Sequence, residues 1–143
     1  MLKEIIGREV SVVVGYPIIQ AFPAFVATIE AALAQGGVVL VHCASGVSRS
    51  TAIVAAFLMK LNERTATDTF NFIQKRRPGI SRKKFFEQLE LWSELKYEFP
   101  AEDDNSKAAK TFRKSYSEKR LMGRTRACVR GTVQTDWPRA TFE

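Results

Sequence analysis

The residues best suited to chemistry lie in one short segment, 42–50, which reads HCASGVSRS. Five small residues separate Cys43 from Arg49, and Gly46 lies in the middle of them. Successive backbone N–H groups in such a loop can converge on one anion, and the Arg49 guanidinium matches two phosphate oxygens. A cysteine beside a helix N-terminus and a cation becomes a thiolate near neutral pH. The spacing therefore predicts a phosphate cradle with a nucleophile at its base.

The reaction that this cradle would support is attack of the Cys43 thiolate on phosphorus. The product is a phosphocysteine, which water then hydrolyses. Ser50 is placed to donate a hydrogen bond to the departing sulfur. His42 ends the preceding strand, so we expect it to point away from the anion and to support the loop backbone. The chemistry needs no metal or other cofactor, and the expected phosphate-binding residues are Ala44, Ser45, Gly46, Val47, Ser48 and Arg49.

The elements that must position the cradle follow from the apolar pattern. The continuous run Val38–Val41 predicts a strand covered on both faces, as in parallel sheets. An earlier strand at Val10–Val14 and an intervening helix predict a right-handed βαβ unit. Helical spacing predicts helices over 22–35, 49–61, 66–76 and 82–98, with Ser81 as a cap of the last one. A cysteine after an apolar strand is more often a core residue, and this strand–loop–helix context is what favours the cradle.

Composition excludes several classes of protein. The chain has 143 residues, 45% of them hydrophobic and 26% charged, which is ordinary globular usage and not that of a disordered chain. Two Cys and one His make neither a disulfide framework nor a structural zinc site without carboxylates. We therefore expect a reducing compartment, the cytoplasm or else the nucleus. No membrane association is expected, because the longest apolar-rich stretch, Ala52–Met59, is too short to span a bilayer.

The formal charge of +7 is unevenly distributed. Residues 101–143 are basic and lack sustained periodicity, so we expect a largely disordered tail, with a short helix near 108–119, after a domain at 1–100. Six basic residues lie within 75–84, and they are either a solvated surface or a rim that attracts phosphorylated substrate. Nucleic acid is a less favoured partner, because the aromatic residues fall at helical spacing and indicate a core.

The segment VLVHCASGVSRSTAIVAAFLMK resembles the signature of the cysteine-dependent protein phosphatases, specifically their dual-specificity branch. The segments AFPAFVATIEAALAQGG and FNFIQKRRPGISRKKFFEQLELW are similar to that family's helices on either side, so the resemblance covers Pro17–Phe99. It implies an α/β, protein-tyrosine-phosphatase-like fold, expected as a small parallel sheet flanked by helices. It also implies a phosphorylated protein substrate, and a monomer is expected. Cys43 matches the nucleophile, Arg49 the phosphate-binding arginine, and Ser50 the hydroxyl that aids breakdown of the intermediate.

Two departures from the family pattern bear on activity. The family's first strands precede the region matched here, so we expect the sheet to lack them. The family also carries an Asp general acid about thirty residues before the cysteine, whereas residues 12–16 read VVVGY and no Asp precedes Asp68. Glu30 belongs to a predicted helix surface and Asp68 to a capping box, which leaves Glu9 as the least unlikely substitute.

Two functions remain open at this point. Intact Cys43 and Arg49 favour a phosphatase that acts on phosphotyrosine, and on phosphoserine or phosphothreonine to a smaller extent. The missing acid favours a phosphatase-like scaffold that binds phosphorylated partners with little turnover. The second cysteine, Cys128, would matter for oxidation of Cys43 only if the fold brought the two close, and nothing in the sequence does so.

Overall fold

The computed structural model describes residues 9–13, 17–116 and 126–132. None of the helices in this part of the chain has the length and hydropathy needed to cross a membrane. The elements in chain order are β1 (Glu9–Val13), a 3₁₀ turn (Ile18–Ala21), α1 (Phe22–Ala34), β2 (Val38–His42), α2 (Arg49–Asn62), α3 (Ala66–Arg76), α4 (Phe86–Glu94), α5 (Lys107–Tyr116) and β3 (Arg126–Thr132).

Helix α2 forms the centre of the domain and starts at the phosphate cradle. It packs against α1, α3, α4 and β2, and most of its residues are buried. Ala52, Ala55 and Ala56 are fully buried, and their small side chains allow the neighbouring helices to approach closely. The first turn of α2 is thereby held by the core of the domain.

The buried Trp92 of α4 ties three helices together. Its ring meets Phe22 of α1 edge to face, with 5.7 Å between ring centroids. Its indole N–H donates to the carbonyl of Ala56 in α2 at 3.3 Å, so the one polar atom of the ring is satisfied. Apolar burial and this hydrogen bond together fix α2 relative to α1 and α4.

The described strands form a three-stranded sheet in the order β1-β3-β2. Both ladders are antiparallel, with Val10 opposite Val129 and Val41 also opposite Val129 on the other side of β3. The expected parallel sheet is therefore wrong for these strands. The two strands of the predicted βαβ unit do run in the same direction, but β3 lies between them and runs the opposite way.

The sequence predicts that both faces of β2 are buried, but only one of them is. Val38 and Leu40 are 36% and 48% exposed, whereas Val39 and Val41 pack against the core. The helices cover one face of this strand, and successive side chains point to opposite faces. An apolar run of this length cannot by itself tell one covered face from two.

The region predicted to be a disordered tail contains α5 and β3. Helix α5 lies on the domain: its Ala109 is fully buried, and Phe112 meets Phe99 with 5.0 Å between ring centroids. Ser106 precedes α5 and caps it, since its hydroxyl accepts a hydrogen bond from the Ala109 N–H at 3.1 Å. The short helix predicted near 108–119 is therefore present, and it packs against the domain as an ordered element.

Helix α4 begins later than the periodicity predicts. The pattern indicates a helix from residue 82 with Ser81 as its cap, but α4 starts at Phe86. The Ser81 N–H donates instead to the carbonyl of Val47 in the cradle, at 2.9 Å. This hydrogen bond holds the segment before α4 against the cradle.

Candidate active site

The loop that follows β2 has the form of an anion cradle. Cys43 comes directly after the last residue of β2, and α2 begins at Arg49. Between them the chain reverses at Gly46, whose φ of +65° lies in the left-handed region that residues with a Cβ rarely adopt. Ala44 and Ser45 are exposed and form the open side. The structure thus brings the predicted loop residues together between one strand and one helix.

The Cys43 sulfur lies at the base of the loop beside Ser50. The distance from Cys43 Sγ to Ser50 Oγ is 3.4 Å, which is a hydrogen bond for a sulfur acceptor. Ser50 is 5% exposed, so its hydroxyl is held in place by the first turn of α2. The predicted nucleophile and the predicted hydroxyl are therefore in direct contact.

Hydrogen bonds favour the thiolate form of Cys43. Burial by itself raises the pKa of this thiol, but the Ser50 hydroxyl and the backbone N–H groups of Ser50, Ser48 and Gly46 together lower it from 9.0 to about 6. Each of these donors stabilises the charged sulfur more than the neutral thiol. At neutral pH most of the sulfur is therefore ready to act as a nucleophile.

The N-terminus of α2 remains open to an anion. Ser48 is the residue before the helix, and its side chain makes no capping hydrogen bond. The first N–H groups of a helix lack partners within it, and they carry a partial positive charge. Arg49 occupies the first position of α2 and is partly buried. The helix end and the loop together therefore suit a phosphate dianion.

The sequence of this chain matches known proteins. Residues 11–95 match the catalytic domain of the dual specificity phosphatases. The chain belongs to this family. It is 43% identical over 76 residues to mouse dual specificity protein phosphatase 19, a match that covers 52% of this chain and 34% of the mouse protein.

Two further relatives match a similar share of the chain. Human dual specificity protein phosphatase 12 is 43% identical over 74 residues, or 51% of this chain and 22% of the human protein. The tyrosine-protein phosphatase yvh1 of Schizosaccharomyces pombe is 43% identical over 68 residues, or 47% of this chain and 21% of the yeast protein. The chain therefore spans about a third or less of the length of these dual specificity phosphatase relatives.

The low pKa of Cys43 has a measurable consequence in this family member. We expect the rate of alkylation by iodoacetamide to rise with pH and level off, with a midpoint near pH 6, because only the thiolate reacts. Ser50→Ala removes a donor that favours the thiolate, so its midpoint moves to higher pH, towards 9.0. Mass spectrometry locates the label on Cys43. An unchanged midpoint in Ser50→Ala would contradict the proposed role of the Cys43–Ser50 hydrogen bond.

His42 lines a cavity of about 370 Å³ beside the loop. The cavity is walled by β2, α2 and α3, and Ser50 and Gly46 reach it from the loop side. The expectation that the His42 side chain points away from the anion stays a prediction. Among the described residues this side chain makes no hydrogen bond to the loop, so its role as loop support stays a prediction.

Two of the carboxylates considered as substitutes for the missing acid, Glu30 and Asp68, have other partners. Glu30 pairs with Lys60 at 3.0 Å on the surface. The Asp68 N–H donates to the Thr65 hydroxyl at 3.1 Å, so Asp68 belongs to the N-terminal cap of α3, as predicted. Glu9 begins β1 opposite Arg130, and residues 14–16 lie outside the described part of the chain.

Sequence reasoning missed one contributor to the site, Arg77, and the position of a second residue, Cys128, in the sheet. Arg77 was considered only within the basic window 75–84, yet its side chain donates to the carbonyl of Gly46. Cys128 was placed in a tail with nothing to bring it near, yet its backbone lies opposite His42 in the β2–β3 ladder. No local pattern signals either position, because both depend on contacts between distant parts of the chain.

Proposed function

We propose that this protein is a phosphatase that hydrolyses phosphotyrosine in proteins, and phosphoserine or phosphothreonine much more slowly, through a phosphocysteine intermediate. The observation that carries the proposal is the cradle itself. The Cys43 sulfur receives hydrogen bonds from Ser50 and from loop N–H groups, at the N-terminus of a helix whose first residue is Arg49. Family membership supports the same chemistry.

The proposed reaction has two steps. In the first, the Cys43 thiolate attacks phosphorus, the sulfur–phosphorus bond forms, and the bond to the tyrosine oxygen breaks. The loop N–H groups and Arg49 hold the phosphoryl oxygens, whose negative charge they stabilise as the transition state forms. In the second step, water attacks phosphorus and the sulfur departs as a thiolate, which the Ser50 hydroxyl stabilises by donating a hydrogen bond.

Of the basic residues on α3 and after it, some contact aromatic rings and one contacts the phosphate cradle. Arg76 lies over the ring of Phe72, 3.7 Å from its centroid, and Arg82 lies 4.7 Å from that of Phe86. Arg77 instead contacts the cradle.

We propose a phosphorylated protein as the substrate and place the activity in the cytoplasm or nucleus, where free thiols stay reduced.

A rapid-mixing experiment with the full chain and p-nitrophenyl phosphate tests the proposal. We expect a burst of p-nitrophenolate equal to one molecule per protein, followed by slower turnover, if hydrolysis of the phosphocysteine limits the rate. Acid quenching during turnover should trap phosphate on Cys43, which mass spectrometry of the peptide would locate. A folded protein that releases no p-nitrophenolate and carries no phosphate on Cys43 would contradict the enzyme and favour a scaffold that only binds phosphorylated partners.

A further inference from the structure

The connection between α3 and α4 reaches back to the cradle at two neighbouring carbonyl groups. The Arg77 Nε–H donates to the carbonyl of Gly46 at 3.2 Å. The Ser81 N–H donates to the carbonyl of Val47 at 2.9 Å. These two donors, which we call the loop clamp, bind carbonyl groups of the loop and leave its N–H groups to the anion.

The loop clamp sets the direction of two peptide planes. In a trans peptide unit the carbonyl and the following N–H point in opposite directions. Holding the Gly46 carbonyl outward therefore turns the Val47 N–H inward, and holding the Val47 carbonyl outward turns the Ser48 N–H inward. The Ser48 N–H is one of the donors to the Cys43 sulfur. The loop clamp thus acts on the groups that line the cradle.

Gly46 is fitted closely to Arg77. A Cβ built at Gly46 would lie 2.8 Å from a terminal nitrogen of the Arg77 guanidinium, so the guanidinium would have to move to admit it. The φ of +65° independently favours glycine there. The guanidinium therefore lies directly against the backbone of the loop at the point where the chain reverses.

We infer that Arg77 is a positioning residue for the phosphate cradle: its hydrogen bond to the Gly46 carbonyl, together with the Ser81 N–H, orients the loop N–H groups toward Cys43 and the phosphoryl oxygens. The expected effect of Arg77 on kcat rests on the proposed phosphatase function. Its expected effect on the reactivity of Cys43 does not. Arg77 is exposed, and a single exposed hydrogen bond contributes little to global stability. Its loss should therefore change the geometry of the loop and leave the fold intact.

The test compares Arg77→Ala with Arg76→Ala, which removes the same charge one residue earlier on α3. Three quantities are measured for each full chain: kcat and KM for p-nitrophenyl phosphate, the pH midpoint of Cys43 alkylation, and the melting temperature. For Arg77→Ala we expect kcat to fall about tenfold, because small displacements of catalytic donors are costly. Its alkylation midpoint should move to higher pH, while KM and the melting temperature stay close to wild type. Arg76→Ala should match the wild type in kcat, KM and alkylation midpoint, and only its melting temperature should reflect the lost contact with Phe72.

Arg77→Lys separates charge from geometry. Lysine keeps the charge but lacks the planar fork and the Nε donor, so we expect only part of the lost rate to return. Full recovery in Arg77→Lys, or an equal loss in Arg76→Ala, would overturn the positioning role in favour of a general effect of charge. A wild-type alkylation midpoint in Arg77→Ala would also overturn it.

A double-mutant cycle gives an independent measurement. Gly46→Ala creates the close contact with Arg77, so it should do less additional harm to kcat and to the alkylation midpoint when Arg77 is already alanine. Non-additivity of this kind is expected of residues in contact, and strict additivity would contradict the clamp. If the wild type shows no turnover at all, the proposed function fails, while the alkylation midpoints still decide whether the clamp orients the loop.

Discussion

Replacing Cys43 with serine is expected to lower kcat for p-nitrophenyl phosphate by at least about 10⁴-fold, as the loss of a covalent nucleophile does in other enzymes. The thiolate is present at neutral pH because its hydrogen bonds lower the pKa of Cys43 to about 6. A serine hydroxyl in the same place stays protonated and is a poor nucleophile. The phosphate cradle itself is retained, so binding should persist while turnover disappears.

Two measurements test this expectation. Steady-state release of p-nitrophenolate reports turnover, and fluorescence anisotropy with a labelled phosphotyrosine peptide reports binding. The matched control is Cys128→Ser, which makes the same chemical change in β3 and should leave turnover within about twofold of wild type. Turnover by Cys43→Ser within tenfold of the wild-type rate would contradict a phosphocysteine mechanism.

The second large effect concerns the leaving group. We expect kcat for a phosphoserine peptide to be about 10²- to 10⁴-fold lower than for the phosphotyrosine peptide of otherwise identical sequence, which is the usual contribution of general acid catalysis. No Asp precedes Asp68 in the sequence, so the acid that the family pattern places on this side of the cysteine is missing. A phenolate departs without a proton far more readily than a serine alkoxide does.

A series of aryl phosphates tests the same point without changing the peptide. If no group protonates the departing oxygen, the rate of the first step should depend steeply on the pKa of the leaving phenol. Malachite green detection of released phosphate suits both the aryl series and the peptide pair. Similar rates for phosphoserine and phosphotyrosine, or a flat dependence on the phenol pKa, would show that another group donates the proton. Glu9→Gln would then be the first variant to examine.

Local patterns predicted much of the fold. Helix α3 spans Ala66–Arg76, as the sequence indicates, because the Thr65–Asp68 capping box and the break at Pro78 are short-range features. The boundaries of α1 and α2 likewise fall within a residue or two of the predicted ones. Each of these helices is bounded by residues whose preferences act within a single turn.

The same reasoning did not predict the pairing of distant strands. Strand β3 has a basic sequence that reads as part of a tail, and it becomes a strand because β1 and β2 supply backbone partners on both sides. Strand formation depends on such context more than helix formation does. The antiparallel order and the position of Cys128 both follow from that pairing.

The sequence by itself determined the chemistry proposed for this protein: a cysteine, an arginine and a serine at fixed spacing, with glycine where the chain must reverse. Only the tertiary structure decided how the loop between them is oriented. The carbonyl of Gly46 is held by Arg77, 31 residues further along the chain, and the carbonyl of Val47 by the N–H of Ser81. Composition and periodicity show which side chains are present. The direction of a backbone N–H depends instead on which distant donor binds the neighbouring carbonyl.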